Sequence, residues 1–395
     1  MPVAVYLLGL AVFALGTSEF MLSGLLPAIA ADLGVSIPDA GLLISAFAIG
    51  MLVGAPALAL LTLRRPRRPA LTALLAVFVA AHVAGALTPG YAVLFGTRIV
   101  AALAAAGFTA LATVAAMGMV AENRRGRATA VVIGGLTVAN IAGVPAGTFI
   151  GQHAGWRAAF WAVAALAALA AVGVLATVPG GRPAGNGAPS VARELRAMAG
   201  GRLWIVFATI ALASAAVVVT FGYLGALLTE TTRVGQEWVP AVLGLFGVGA
   251  LLGITAGGRA ADTRPRAALY AGVGGLTVVS AALAVAAAGP VPTIVLVFLL
   301  GVAGFLITPV LNVRAYALAG PAHTLAGGAI VAAYNVGNTA APWLGGLAIG
   351  AGLGYASVAW VGAALGAASL VAVTLGVLAD RRAPGAAATV PAPAE

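Results

Sequence analysis

Pro179-Gly-Gly-Arg-Pro-Ala-Gly-Asn-Gly187, which runs on through a short basic stretch to Arg202, is the longest polar interruption in this 395-residue chain. Its density of Gly and Pro marks a loop. On both sides the sequence is a succession of apolar runs, and a membrane-crossing helix needs about 20 mostly apolar residues. Going back from the loop, six runs fit, at 158–178, 128–152, 92–119, 69–88, 40–62 and 4–26. Going forward, six more fit, at 203–228, 239–260, 266–288, 292–318, 324–350 and 356–379. The least distinct boundary is 314–324, where Arg314 and the Gly320-Pro321 turn interrupt the tenth run. The expected protein is all-α and integral to the membrane, with twelve transmembrane helices in two six-helix halves. Residues 1–178 form the N-terminal bundle, 179–202 the cytoplasmic central loop and 203–379 the C-terminal bundle. The Pro/Ala-rich tail, 380–395, is expected to be disordered.

Composition leads to the same class. Only 8% of the residues are charged and 62% are hydrophobic, whereas a soluble domain carries roughly 25% charged residues. So few charges cannot cover the surface of a water-soluble protein of this length. The 54 glycines agree, since Gly and Pro are more frequent in membrane helices than in soluble ones. The absence of cysteine excludes disulfide frameworks, thiolate metal sites and cysteine nucleophiles. A net charge of +10 would suggest nucleic acid in a soluble protein. Here the basic residues sit in short gaps between apolar runs, so no nucleic-acid partner is expected. The first run, Val3 to Leu26, is too long for a typical signal-peptide core, lacks a basic leader and contains a glutamate; it reads as a retained first span.

All twenty basic residues are arginines. With the N-terminus inside, seventeen fall on the cytoplasmic side, Arg157 and Arg233 fall outside, and Arg98 falls within a span. Basic residues concentrate on the cytoplasmic side, so both termini are expected there. The two halves also echo each other at an offset of 199 residues: Gly50-Met-Leu-Val-Gly54 recurs as Gly249-Ala-Leu-Leu-Gly253, and Arg65-Pro66-Arg67 as Arg264-Pro265-Arg266. A duplicated six-helix unit, related by a pseudo-two-fold axis, is the architecture of a transporter that rocks around a midplane site.

Of ten acidic residues, Glu19 alone lies well inside a span. A charge at a helix centre costs about 2.5–3.5 kcal/mol on insertion scales, and such residues usually face a cavity and serve transport or proton relay. A carboxyl whose surroundings change between two conformations binds and releases a proton once per cycle. The structural alternative is a glutamate hydrogen-bonded to Thr17 or Ser18. Arg98 is the arginine deepest in a span and the natural partner to test against Glu19; snorkelling to the surface is its structural alternative. In the fifth span Gly135, Ala139, Gly143, Gly147 and Gly151 recur every four residues, a stripe that admits close helix approach, with Pro145 disturbing the hydrogen-bond ladder. Gly337, Ala341 and Gly345 with Pro342 repeat the pattern in the eleventh span, and Gly249, Gly253 and Gly257 in the eighth. These stripes are the expected surfaces on which the halves rock. Phe20, Asn140, Tyr223, Asn312, Asn335 and Asn338 are candidates for lining a substrate cavity, though the asparagines could equally tie helices together. His82 could relay protons, but a lone histidine is more often structural. No phosphate-binding Gly-x-x-x-x-Gly-Lys-Ser/Thr loop, His-Glu-x-x-His metal motif or Gly-x-Ser-x-Gly hydrolase motif occurs. Neither an ATP-driven pump nor a membrane enzyme is expected, and no metal or cofactor.

Gly16-Thr-Ser-Glu-Phe20-Met-Leu-Ser-Gly-Leu-Leu-Pro27 resembles the first helix of the twelve-span drug:proton antiporters of the major facilitator superfamily. Leu94-Phe-Gly-Thr-Arg98-Ile-Val100 is similar to that group's fourth-helix motif. Gly143-Val-Pro145-Ala-Gly147, followed by Gly155-Trp-Arg-Ala-Ala-Phe-Trp161, resembles its fifth-helix signature. Gly258-Arg-Ala-Ala-Asp262-Thr-Arg-Pro-Arg266 is similar to the loop motif between the eighth and ninth helices. Within the group the likeness is greatest to chloramphenicol-resistance exporters, through Ser45-Ala-Phe-Ala-Ile-Gly-Met51 and the segment from Gly337 to Gly346. The resemblance implies the major facilitator fold and export of chloramphenicol or a related small drug, driven by the proton gradient. Glu19 would carry the proton, with Arg98 beside it. Gly143, Pro145, Gly147, Asp262, Arg266 and Pro342 would belong to the moving parts. It further implies a multi-pass protein of the bacterial cytoplasmic membrane, expected as a monomer. A sugar or small-metabolite exporter of the same fold is the alternative, and a non-transporting sensor or enzyme a remote one.

Overall fold

The computed structural model describes residues 1–62, 66–180, 200–320 and 323–382. Residues 380–382, expected in the disordered tail, instead continue the last helix; most of the central loop and the tail beyond Arg382, with the rest of that expectation, lie outside the described residues.

In hydrocarbon no water can satisfy backbone polar groups, so a spanning segment closes its hydrogen bonds within itself as a helix. Among the described residues there is no strand, and eleven helical segments are long and apolar enough to cross a bilayer. The first six spanning helices are α1 (Val3–Phe20), α2 (Ile37–Thr62), α3 (Arg67–Leu87), α4 (Tyr91–Gly118), α5 (Arg125–Val138 continued by Val144–Ala154) and α6 (Trp156–Thr177). The second six are α7 (Gly201–Gly222), α8 (Val239–Thr263), α9 (Pro265–Ala286), α10 (Pro290–Ala319), α11 (His323–Ala348) and α12 (Ser357–Arg382). Helix α11 is the one outside the eleven. Its 26 residues suffice in length, but Tyr334, Asn335, Asn338 and several glycines dilute its apolar character. Exposed Leu169, Val172, Val278 and Val285 give the flanks an apolar surface, as lipid contact requires.

The same helix pairings occur in both halves. Helix α1 packs on α5 and α6, α2 on α4, and α3 on α4 and α6. Correspondingly, α7 packs on α11 and α12, α8 on α10, and α9 on α10 and α12. The halves meet through α2 against α11 and α5 against α8, pairs that also exchange under a shift of six helices. This is the pseudo-two-fold of the expected fold class.

Three interruptions shape the middle of the bundle. After Phe20 helix α1 tightens into a 3₁₀ turn, Met21–Gly24. Helix α7 breaks at Tyr223, which matches Gly24 at the 199-residue offset. Helix α5 widens into a π-turn at Ala139–Gly143 just before Pro145, whose missing N–H cannot continue the ladder. The sharp reversal between α5 and α6 falls on Gly155 at φ +83°, a conformation that glycine adopts without steric cost.

The glycine stripes do not lie where the halves meet, contrary to expectation. A Cβ at Gly135 would press on the Gly9 carbonyl; at Gly143 it would meet Thr17, at Gly147 Met21 and at Gly151 Leu25, all on α1 or its extension. Gly249, Gly253 and Gly257 face the α10 backbone, and Gly337 and Gly345 face α7. These stripes pack each half internally. The α5–α8 contact between halves uses other residues: Gly247 against Asn140 and Ile141, and Gly244 against Pro145.

Candidate functional site

Glu19 is the last residue but one of α1, just before its 3₁₀ turn. It is half-buried and lines a cavity that both halves share. Phe20, Ser23 and Phe47 form the N-terminal side of that cavity, and Phe221 and Asn338 stand on the C-terminal side. The Phe20 and Phe221 rings meet edge to face at 6.2 Å, an arrangement favoured by the ring quadrupoles. Asn338 is anchored by its Oδ1, which accepts from the Ser214 hydroxyl at 2.5 Å.

Arg98 does not snorkel. It is 1% exposed, inside α4, and its guanidinium is 4.4 Å from the centre of the Phe47 ring, where a cation is attracted by the π-face. Nη1 donates to Ser18 Oγ at 2.7 Å and Nη2 to the Ser18 carbonyl at 2.9 Å, while Nε has no partner among the described residues. Arg98 and Glu19 are within electrostatic reach of each other but form no ion pair. Glu19 also makes no hydrogen bond among the described residues. The expected alternative of a glutamate tied to Thr17 or Ser18 is thus not found: Thr17 Oγ1 donates to the Phe13 carbonyl, and Ser18 is committed to Arg98.

Ser18 has a second partner. His82 Nε2, on α3, lies 2.7 Å from Ser18 Oγ, and His82 Nδ1 lies 2.9 Å from the Phe78 carbonyl. A carbonyl can only accept, which assigns the ring proton to Nδ1 and leaves Nε2 as acceptor for the Ser18 hydroxyl. The imidazole packs on the Phe78 ring at 4.1 Å and near Phe160 at 5.6 Å. Helices α1, α3 and α4 are thereby joined through one buried hydroxyl.

The other candidates have different surroundings. Tyr223 is completely buried and does not line this cavity; its hydroxyl donates to the Pro342 carbonyl at 2.7 Å. Asn140 and Asn335 donate back to their own helices, to the carbonyls of Leu136 and Val331. Asn312 accepts from the Tyr334 hydroxyl at 3.3 Å. Of the six residues expected around substrate, Phe20 and Asn338 line the Glu19 cavity, and Asn140, Tyr223, Asn312 and Asn335 do not. Asp262 and Arg266 are exposed at the α8–α9 turn. Ser18 and Phe47 carry the Arg98 site, yet neither a serine nor a phenylalanine stands out in an apolar span.

The Major Facilitator Superfamily, as a family, matches residues 8–324. The chain belongs to the major facilitator superfamily. A chloramphenicol resistance protein of Streptomyces lividans is 44% identical to this major facilitator chain, over 94% of it and 95% of the relative. The inner membrane transport protein YdhP of Escherichia coli (strain K12) is 36% identical over 93% and 94% of the two chains. A protein of Mannheimia succiniciproducens named "Probable sugar efflux transporter" is 27% identical over 96% and 95%. As a major facilitator protein this chain is a membrane transporter of a small molecule and not an enzyme.

Proposed function

We propose that this transporter exports chloramphenicol or a related phenicol in exchange for protons, with Glu19 carrying the proton and Arg98 as its cationic neighbour. The observation that carries the reading is the Glu19 carboxyl, without a partner among the described residues, on the wall of a cavity shared by both halves. Burying an ionisable group there is costly and is met mostly where the group works. The drug class comes from the Streptomyces lividans relative. A neutral aromatic solute suits a lining of Phe20, Phe47 and Phe221, with Asn338 and Ser23 for polar contacts. The sugar-efflux reading draws on a more distant relative, and a sugar would require more hydrogen-bonding partners than this lining offers.

With both termini in the cytoplasm, drug enters from inside while Glu19 is deprotonated. Exposure to the outside then lets a proton reach Glu19 and favours release. One proton moving down 100 mV supplies about 2.3 kcal/mol, and each pH unit adds about 1.4 kcal/mol. Together these sustain a drug gradient of roughly several hundredfold.

The test is accumulation of radiolabelled chloramphenicol in cells expressing wild type or Glu19→Gln, with and without a protonophore. Low wild-type accumulation that rises with the protonophore, and is equally high in Glu19→Gln, is the expected result. High accumulation in every sample, with the protein present in the membrane, would reject the phenicol assignment and leave the transporter fold intact.

A further inference from the structure

We infer that Ser18 and His82 form a clamp that holds the Arg98 guanidinium away from Glu19, making Ser18 and His82 positioning residues for the carboxyl in the cavity. Its functional weight rests on the proposed role of Glu19; its geometry does not.

The orientation of α1 sets up the clamp. Consecutive residues on an α-helix point about 100° apart. Ser18 therefore faces α3 and α4 while Glu19, its neighbour, faces the cavity between the halves. Arg98 could reach toward either. Its two terminal nitrogens are both taken by Ser18, one by the hydroxyl and one by the carbonyl. A serine hydroxyl has one proton and accepts at two lone pairs. His82 Nε2 takes the proton, so the lone pairs turn to Arg98; the Phe78 carbonyl in turn holds His82 in the tautomer that makes Nε2 an acceptor. Without that acceptor the hydroxyl is free to rotate, and nothing fixes its lone pairs on the guanidinium.

The consequence for Glu19 is a charge balance decided by one hydroxyl. Among the described residues, Arg98 and His82 are the titratable groups that face the Ser18–Glu19 corner from α4 and α3. From α2 it is faced by Ile44, Phe47 and Ala48, from α7 by Val218, Phe221 and Gly222, and from α11 by Asn338. Helix α5 carries no ionisable residue between Arg127 and His153, and α6 none after Arg157. With the clamp shut, the guanidinium attracts the Glu19 carboxylate from a distance and Glu19 keeps the proton-binding freedom that coupling needs. With it open, Nη2 keeps the Ser18 carbonyl but Nη1 loses its partner, and the Glu19 carboxylate is the charged acceptor toward which the guanidinium is drawn. An opposite charge moving into contact favours the ionised carboxyl by about one pH unit or more.

The test reads Glu19 itself, independently of any substrate. The carboxyl infrared band of the purified protein is followed against pH, and Glu19→Gln identifies the band by its loss. Ser18→Ala is expected to lower the pH of half-protonation by about one unit or more, and His82→Leu to shift it the same way. Ser18→Thr and His82→Gln, which keep the hydroxyl and an acceptor, are expected to titrate as wild type. An unchanged midpoint in folded Ser18→Ala would overturn the clamp. If Ser18→Ala does not fold, an unchanged midpoint in His82→Leu overturns it equally. Export measured beside the titration separates the two readings. A shifted midpoint with export indifferent to Glu19→Gln supports the clamp and removes the coupling role. Export lost in Glu19→Gln with an unshifted midpoint does the reverse.

Discussion

Asp32, in the short helix Leu26–Leu33 after α1, accepts from the Arg157 guanidinium and from the Trp156 indole N–H, the latter at 3.1 Å. Arg157 also donates to the Thr88 carbonyl at 3.1 Å, so one residue pair fastens the short helix after α1 to the end of α3 and the start of α6. The bond from Arg157, then that from Trp156, holds the Asp32 carboxyl below its ordinary value of 3.8. A carboxylate lowered by folding contributes stability above its unfolded pKa and loses that contribution as pH falls through the folded one. The side chains are 35% and 44% exposed, which limits the contribution to about 1 kcal/mol or less. Asp32→Asn should therefore lower the thermal midpoint at neutral pH by about 1–2 °C. The gap to wild type should persist down to about pH 3.8 and close below it; a gap that ignores pH would mean Asp32 acts by shape alone. Glu19 and Arg98 were legible in the sequence, since an acid or an arginine in an apolar run announces its own cost. Their partners were not. Ser18 and Arg98 are 80 residues apart and Ser18 and His82 are 64 apart, and no local pattern ties a serine to either.

Helix α5 marks how far periodicity reaches. The four-residue spacing from Gly135 to Gly151 correctly indicates a face that another helix approaches closely, but spacing carries no information on which helix arrives. Backbone contact with α1 supplies the answer, and the contact between the halves falls instead on Asn140, Ile141 and Pro145, beside the π-turn. Adjacent glycines test this assignment. A Cβ at Gly135 would press on the Gly9 carbonyl and lie 2.9 Å from the Phe13 nitrogen, both backbone atoms that cannot swing aside, whereas a Cβ at Gly134 meets nothing within 4 Å. Alanine gains about 1 kcal/mol over glycine in a helix, and overpacking costs typically 1–3 kcal/mol. Gly134→Ala should leave the thermal midpoint unchanged or slightly raised, and Gly135→Ala should lower it by a few degrees. Equal midpoints for the two variants would remove α1 as the partner of this face. Helix α11 shows the opposite limit. Its boundaries were read from the sequence as a span, while its polar residues, which depress its apolarity, serve as ties: Asn335 bonds within α11, Asn338 bonds to α7 and Tyr334 to α10.

The repeat at 199 residues anticipated the matching pairings of the two halves, because duplicated sequence preserves duplicated packing. It could not tell which end of the molecule is shut, since a transporter that rocks must carry surfaces that fit at both ends and the balance between them is a small difference. In this structure the halves touch at the end remote from Val3 and Arg382. Ser45 donates to the Thr339 carbonyl at 2.8 Å and Gln152 to the Gln236 carbonyl at 2.7 Å, each bond crossing from one half to the other. Tyr223, sealed between Pro342 and Gly41, closes the same end. If alternating access underlies export, these contacts must part once per cycle. The chain has no native cysteine, so Gln152→Cys combined with Gln236→Cys gives a single reactive pair across the closure. A short bifunctional methanethiosulfonate should link that pair, reduce chloramphenicol export to the level of Glu19→Gln, and release it again on reduction, while either single variant treated alike should export normally. Undiminished export at complete cross-linking would mean that the halves stay together at this end throughout the cycle, and that Glu19 must be reached by another route.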